Sequence, residues 1–448
     1  MPFRFRKMQT CSGGLLVMAL LCFWGASVGA QQSPVISLDE AIHRAMANEP
    51  NFAASAAESK AAALDRSIAR AALLPSAVYH NQALYTQPNG EQNQAGQGVG
   101  SQPSPRFIAN NAVREYASQG IVNETIGFAQ AAEVKRADAA AAFAEAQLEV
   151  ARRGLVEAVV NLYYGSITAE RKVAVAKRAA QEADDFADLT AKREAAREAA
   201  HADVIKAQLE QQQRRRDLAD AVVTAEKARL DLAVLLFPDP RTPYTLEKAA
   251  AIKDLPARTE VEALAGKNNP DLRSALAAVK QSDAQVLAAR AAYLPDLGLN
   301  FTYGIDAPQV AVNGPDSVRN LGYSGSVTLD IPVWDWLSTQ HKVKQSEIRR
   351  DAARTALSAT QRRLIASLDE AYSEAATAHD QLASFDQSVE TATESLRLTR
   401  LRYTGGEATV LEVVDAQNAL TAAEIAREDG ALRYRDALAN LQTLTGTL

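Results

Sequence analysis

The chain has 448 residues, 47% hydrophobic and 23% charged, with a formal net charge of −6. This acidic balance disfavours a nucleic-acid partner, and the basic clusters Arg152-Arg153, Arg214-Arg215-Arg216 and Arg362-Arg363 sit among Glu, Asp and Gln in patterns that read as solvated helix faces. Beyond residue 30 no apolar run approaches the about 20 residues of a membrane-crossing helix, which excludes a helical membrane protein and leaves a β-barrel open.

Residues 1–30 read as a secretory signal peptide. Arg4, Arg6 and Lys7 precede an apolar run at 15–25, and Ser27-Val28-Gly29-Ala30 supplies small residues for cleavage. The apolar run is roughly half the length an anchor helix needs. Cys11 and Cys22, the only cysteines, lie inside this segment, so the exported chain is expected to carry no disulfide and no thiolate metal site. Leu21 stands before Cys22 where lipoprotein processing would want a small residue, so no lipid anchor is expected. Cleavage removes three positive residues and no acids, leaving a balance of about −9.

A first repeat occupies 31–236. Its opening helix spans 36–74 and stops at Leu74-Pro75, because proline cannot continue a helix. A strand pair at about 76–127 follows, with a polar, Gly- and Pro-rich loop at 87–104 and a weak alternation at Ala77, Tyr79, Ala83, Tyr85 and Tyr116, Ser118, Gly120, Val122. A proline-free stretch then runs to Pro238, with a heptad ladder from Leu155 through Val159, Leu162, Ser166 and Ala169 to Ala187. One helix over 128–194 would be about 100 Å long. A second helix, 202–236, leads to the breaker Phe237-Pro238-Asp239-Pro240 and a connector ending near 258.

The second repeat, 259–448, repeats the first. Asn48-Glu49-Pro50 and Leu74-Pro75 return 220 positions later as Asn268-Asn269-Pro270 and Leu294-Pro295, whereas Tyr163 and Asp203 return as Tyr372 and Glu412, shifted by 209. The difference falls in the longer loop of the first copy, the mark of a duplicated supersecondary unit. Here the strand pair, about 296–333, alternates cleanly: Leu297, Leu299, Phe301, Tyr303, Ile305 and Leu321, Tyr323, Val327, Leu329 interleave with small or polar residues. Strands of 9 and 11 residues fit a tilted membrane strand, and Tyr303, Tyr323, Trp334 and Trp336 fit an interfacial girdle.

Four membrane strands cannot close alone, since the smallest barrels have about eight and an open edge in lipid leaves backbone groups unsatisfied. The expected fold is therefore mostly α with membrane β: a long-helix coiled-coil tunnel continued by a β-barrel that several chains share.

In its tandem repeat, its Asn-x-Pro and Leu-Pro steps, Ile331-Pro332-Val333-Trp334-Asp335, and the run from Tyr403-Thr404-Gly405-Gly406 to Glu412-Val413-Val414-Asp415-Ala416-Gln417, the exported chain resembles the TolC-type outer-membrane efflux proteins. That resemblance implies a homotrimer with a 12-stranded barrel in outer-membrane lipid, a 12-helix periplasmic tunnel, and an equatorial belt to which 237–258 would belong. It implies an exit duct for efflux or type I secretion, docked through a periplasmic adaptor protein to an inner-membrane transporter of RND, ABC or MFS type. It also implies closure at the periplasmic tips: Glu412 and Asp415 match acidic rings facing the lumen, Asp203 and Tyr403 match partners in the closing network, and Ala196, Arg197, Gly405 and Gly406 form the tips that meet the adaptor. Two departures stand out. Ala408 replaces the arginine usual after the second turn's glycine, and Ala196-Arg197 replaces the first turn's glycine. For Glu412 and Asp415 a plainer reading is a favourable interaction with the helix dipole.

No enzyme motif is present, and His43, His80, His201, His341 and His379 are scattered without metal-ligand spacing, so neither cofactor nor metal is expected. The alternative is a periplasmic coiled-coil adaptor or scaffold without its own pore, a reading that leaves the duplicated strand pairs unexplained. The cargo class, whether drug, metal ion, metabolite or unfolded protein, is not written in the sequence.

Overall fold

A computed structural model describes residues 34–85, 114–307, 310–314 and 319–448; the signal-peptide reading of 1–30 and the loop at 87–104 lie outside the described residues. In chain order the elements are β1 (Val35–Ile36), α1 (Leu38–Asn48), α2 (Pro50–Ala71), β2 (Ser76–Tyr85), β3 (Arg114–Gly127), α3 (Phe128–Ala195), α4 (His201–Leu236), β4 (Thr245–Leu246), α5 (Arg258–Asn268), α6 (Pro270–Ala291), β5 (Asp296–Ala307), β6 (Leu321–Asp330), α7 (Ser338–Thr404) and α8 (Val410–Thr445). The duplication is visible in the lengths: α2 and α6 have 22 residues each, α3 and α7 have 68 and 67, and α4 and α8 have 36 each.

The helix expected to run unbroken over 36–74, and its repeat counterpart leading to Leu294-Pro295, are each divided at the Asn-x-Pro step. The residue before a proline is pushed out of the helical region, and here that residue becomes a cap. Glu49 accepts from the Phe52 N–H at 2.5 Å and Asn269 from the Leu272 N–H at 2.8 Å, each with proline at the start of the next helix. Nearby amides tie both breaks to the end of the returning helix: Asn48 donates to the Leu236 carbonyl at 2.7 Å, and Asn269 to the Leu444 carbonyl at 3.0 Å.

Two small cores hold the mid-level of the rods. Ile36, Ala41 and Ala45 pack on Leu155, Val159 and Tyr163 of α3 and Leu232 and Leu236 of α4. Their counterparts are Val261 and Ala265 of α5 on Leu368, Ala371 and Ala375 of α7, with Leu441 of α8. The Tyr163 hydroxyl donates to the Ile36 carbonyl at 3.1 Å, and the shifted Tyr372 donates to the Pro256 carbonyl at 3.4 Å.

Around these cores the chain forms one layer rather than a closed body. The strands lie in the order β2-β3-β5-β6, all antiparallel. Toward the sheet the helices neighbour one another as α2-α3-α6-α7, and toward the far end as α4-α3-α8-α7. One edge thus consists of β2, α2 and α4, the other of β6 and α7. Both carry exposed aliphatic residues: Leu64, Ile68, Ile205, Leu209, Val222 and Val223 on the first, Ile348, Ile365, Leu398 and Leu401 on the second.

The copies differ where the last strand enters the long helix. Ser76 faces Asn123 and Asp296 faces Asp330, so the 220-residue shift of β2 onto β5 carries β3 onto β6 with a shift of 207, two short of the helical 209. The second copy has two extra residues there, and Trp336 and Leu337 absorb them in the left-handed region with φ of 56° and 63°. Asp335 then fixes the start of α7 by accepting from the Thr339 N–H at 2.7 Å.

Candidate aperture and membrane sheet

At the end remote from the sheet, two helical hairpins turn back. In the first turn the Glu198 N–H donates to the Arg193 carbonyl and the Arg197 N–H to the Glu194 carbonyl, both at 2.8 Å. In the second, the Glu407 N–H donates to the Arg402 carbonyl at 2.9 Å and the Gly406 N–H to the Tyr403 carbonyl at 3.1 Å. These are the paired bonds of a Schellman ending, which needs a left-handed residue after the cap. Gly406 supplies it with φ 80°, and Arg197 with φ 64°. The first turn therefore reaches the glycine geometry without a glycine, at a steric cost its neighbours must hold. Ala196 and Gly405 are the right-handed caps before these residues.

Tyr403 is buried between the two hairpins, 5% exposed. Its ring meets Phe186 of α3 edge-on at 5.2 Å, and its hydroxyl donates to Thr190 Oγ1 at 3.3 Å. Arg193 completes the contact. Its guanidinium carbon lies 4.8 Å from the centre of the Tyr403 ring, Nη1 donates to the Tyr403 carbonyl, and Nε stands 3.5 Å from the Glu198 carboxylate. Phe186, Ala187, Ala207, Leu396, Val410 and Val413 surround this cluster, so the two tips share a core.

Asp203 lies in the first turn of α4, half-buried, with no bond to Tyr403 among the described residues. Glu412, its repeat counterpart, closes a capping box: the Glu412 N–H donates to Thr409 Oγ1 at 3.3 Å and the Thr409 N–H to Glu412 Oε1 at 3.1 Å. Arg402 Nη1 stands 3.3 Å from Glu412 Oε2. The Thr409 backbone bond, helped by the Thr409 hydroxyl and Arg402, holds the Glu412 carboxyl below its usual range. Asp415, one turn further, is exposed.

Glu412 thus does what the helix-end reading asks of it, whatever else it faces. Arg193 and Thr190 were not singled out from sequence. The signal that could have found Arg193 is its shift by 209 onto Arg402, which places an arginine before both turns.

At the opposite end the sheet separates two faces. Leu297, Leu299, Phe301, Tyr303 and Ile305 stand opposite Leu329, Val327, Gly325, Tyr323 and Leu321 on one face. Ser76, Asn123, Asn300 and Ser326 form one row across the other, where Asn300 Nδ2 donates to Asn123 Oδ1 at 2.5 Å. On the apolar face Tyr323 and Val327 are 79% and 70% exposed, and the Phe301 and Tyr323 rings stack at 6.3 Å. Trp334 and Trp336 project from the strained turn below, their rings 5.8 Å apart. At Gly304 a Cβ would come within 2.2 Å of the Ser118 carbonyl, so only glycine allows β3 and β5 to approach there. No helix among the described residues is long and apolar enough to cross a membrane.

Comparison with known proteins extends these observations. Residues 262–447 match the family described as outer membrane efflux protein. Over 202 residues the chain is 25% identical to the outer membrane protein OprJ of Pseudomonas aeruginosa, an alignment covering 45% of this chain and 41% of OprJ, less than half of that relative. The fold matches the CmeC outer membrane channel of Campylobacter jejuni with a TM-score of 0.77 at 15% identity, over 92% of this chain and 85% of CmeC. It matches the outer membrane protein VceC of Vibrio cholerae with a TM-score of 0.77 at 18% identity, over 91% and 96%. At such identities these two matches establish the fold.

Proposed function

We propose that this chain, whose second repeat matches the outer membrane efflux protein family and whose fold is that of outer membrane channels, is one third of an exit duct in the outer membrane of a Gram-negative cell. Three copies would close a barrel of 12 strands and continue it as a helical tunnel. A periplasmic adaptor would dock at the tips, and an inner-membrane transporter would supply the energy.

The observation that carries this reading is the open layer. A four-stranded antiparallel sheet, apolar and exposed on one face of β5 and β6, ends in two edge strands that have no further partner among the described residues, and the helices beneath it end in aliphatic edges on the same two sides. Backbone edges in hydrocarbon must be closed, and exposed apolar edges on rods call for neighbours. An adaptor or scaffold has no use for a sheet with a lipid-compatible face. At the tips, Asp203, Glu412 and Asp415 of three chains would gather around the lumen, with Tyr403 holding the hairpins together. Purified protein should need detergent for extraction and form ion-conducting pores in planar bilayers; a water-soluble, non-conducting protein would overturn the duct.

A further inference from the structure

We infer the register with which β6 of one copy pairs with β2 of the next, a step that rests on the trimeric duct reading. Three of the four strand pairings in each third of the barrel are already fixed. The row beginning at Ser76 passes through Asn123 and Asn300 to Ser326. The register of the seam decides which residue of the partner subunit's β2 continues that row, and with it the stagger of the whole barrel.

Any register shifted by two residues keeps the apolar residues on one face, and three of these tilt the strands appreciably. Ser326 can meet Leu84, Gln82 or His80 of the partner subunit, advancing the row by eight, six or four residues per chain. The first would copy the step inside the chain, where Asn300 lies four beyond Asp296, the counterpart of Ser76. With three chains, about 3.4 Å per residue and about 4.8 Å between strands, the three choices tilt the strands by about 55°, 47° and 35°, against a usual range of about 35–45°. Copying the internal step overtilts the barrel most and sets Leu84 into a row otherwise made of Ser and Asn.

Pro332 separates the other two. A proline has no N–H to give a ladder and belongs at its end. If Ser326 meets Gln82 of the partner subunit, Pro332 meets Ser76 of the partner subunit, the first residue of β2, so the ladder ends where the donor is missing. The four-residue choice ends the ladder at Asp330 and leaves the backbone of Ile331 unpaired beside the apolar face. The geometry therefore points to an advance of six. Leu329 then faces Tyr79 of the partner subunit, and Asp330 faces Val78 of the partner subunit.

Cysteine pairs test this directly, since the only native cysteines are Cys11 and Cys22, within the segment read as cleaved. Full-length protein is purified in mild detergent carrying Leu329→Cys with Tyr79→Cys, or Asp330→Cys with Val78→Cys. Using both covers the alternation of narrow and wide pairs in an antiparallel ladder. Oxidation should give covalent trimers from at least one of them, and far less from Leu329→Cys combined with Asn81→Cys or Ala77→Cys. Preferential crosslinking through Asn81→Cys or Ala77→Cys, or none in any pair from a trimeric preparation, overturns the register and leaves the trimer standing. A preparation that is monomeric before oxidation overturns the trimer as well.

Discussion

Arg193 is the residue whose removal should most loosen the tips. It lies in the last turn of α3, its side chain is only 17% exposed, and it joins the first hairpin to the second by a hydrogen bond to the Tyr403 carbonyl and by stacking over the Tyr403 ring. A charged donor on a carbonyl contributes about 1.5–3 kcal/mol and a partly desolvated cation over a ring about 0.5–2 kcal/mol. Allowing for overlap and residual exposure, Arg193→Ala should weaken the junction by about 2–4 kcal/mol per chain, roughly a 30- to 700-fold shift between joined and parted tips. Single-channel recording in planar bilayers should show higher conductance or longer open periods for Arg193→Ala. Arg193→Lys should be intermediate, since it keeps the charge but loses the planar fork. Arg397→Ala, which breaks an exposed ion pair with Glu394 on α7, serves as control and should behave as the parent. Conductance of Arg193→Ala equal to that of Arg397→Ala, in assembled protein, would refute the role given to Arg193.

Arg197 holds a left-handed turn that Gly406 holds without strain, so Arg197→Gly should leave stability unchanged or raise it by up to about 1 kcal/mol, whereas Gly406→Val should lower it by at least that much; thermal unfolding in detergent measures both, and equal losses would contradict the matched turns. Val327→Arg, on the exposed apolar face, should disfavour membrane insertion by about 2–4 kcal/mol while Ser326→Arg is better tolerated; equal effects in a folding titration into lipid would refute this assignment of faces. Glu412→Gln with Asp415→Asn should reduce cation preference in a salt gradient if both carboxylates face the lumen, and an unchanged reversal potential would leave Glu412 its capping role alone. Because the folded-state value of Glu412 is lowered, its stabilising contribution is fully present above the ordinary value of 4.5 and is lost as pH falls through the lowered one, so only at strongly acid pH should parent and Glu412→Gln converge in stability.

The fold was legible where a pattern had a single physical solution. Alternating apolar positions from Leu297 to Ile305 could only be a two-faced strand, and the ladder from Leu155 to Ala187 could only be a long packed helix. The breaks at Glu49 and Asn269 were written in the prolines that follow them, but a helix-period pattern on both sides hid them. Strand β3 runs 14 residues despite weak alternation at Tyr116, Ser118 and Gly120, because pairing with both β2 and β5 sets its conformation. The left-handed Arg197 was less legible, since nothing in Ala-Arg announces a turn that glycine usually makes. The tip contacts depended on which helices become neighbours. Tyr403 and Arg193 are far apart in sequence, and only the packing of α3 and α7 on either side of α8 brings them together.

The most direct measurement of the duct is the mass of the conducting particle, taken by native mass spectrometry from mild detergent on the same preparation that forms pores in a bilayer. Three chains per particle are expected, because four strands with two open edges close only by adding copies. A conducting particle of one or two chains would contradict the shared barrel.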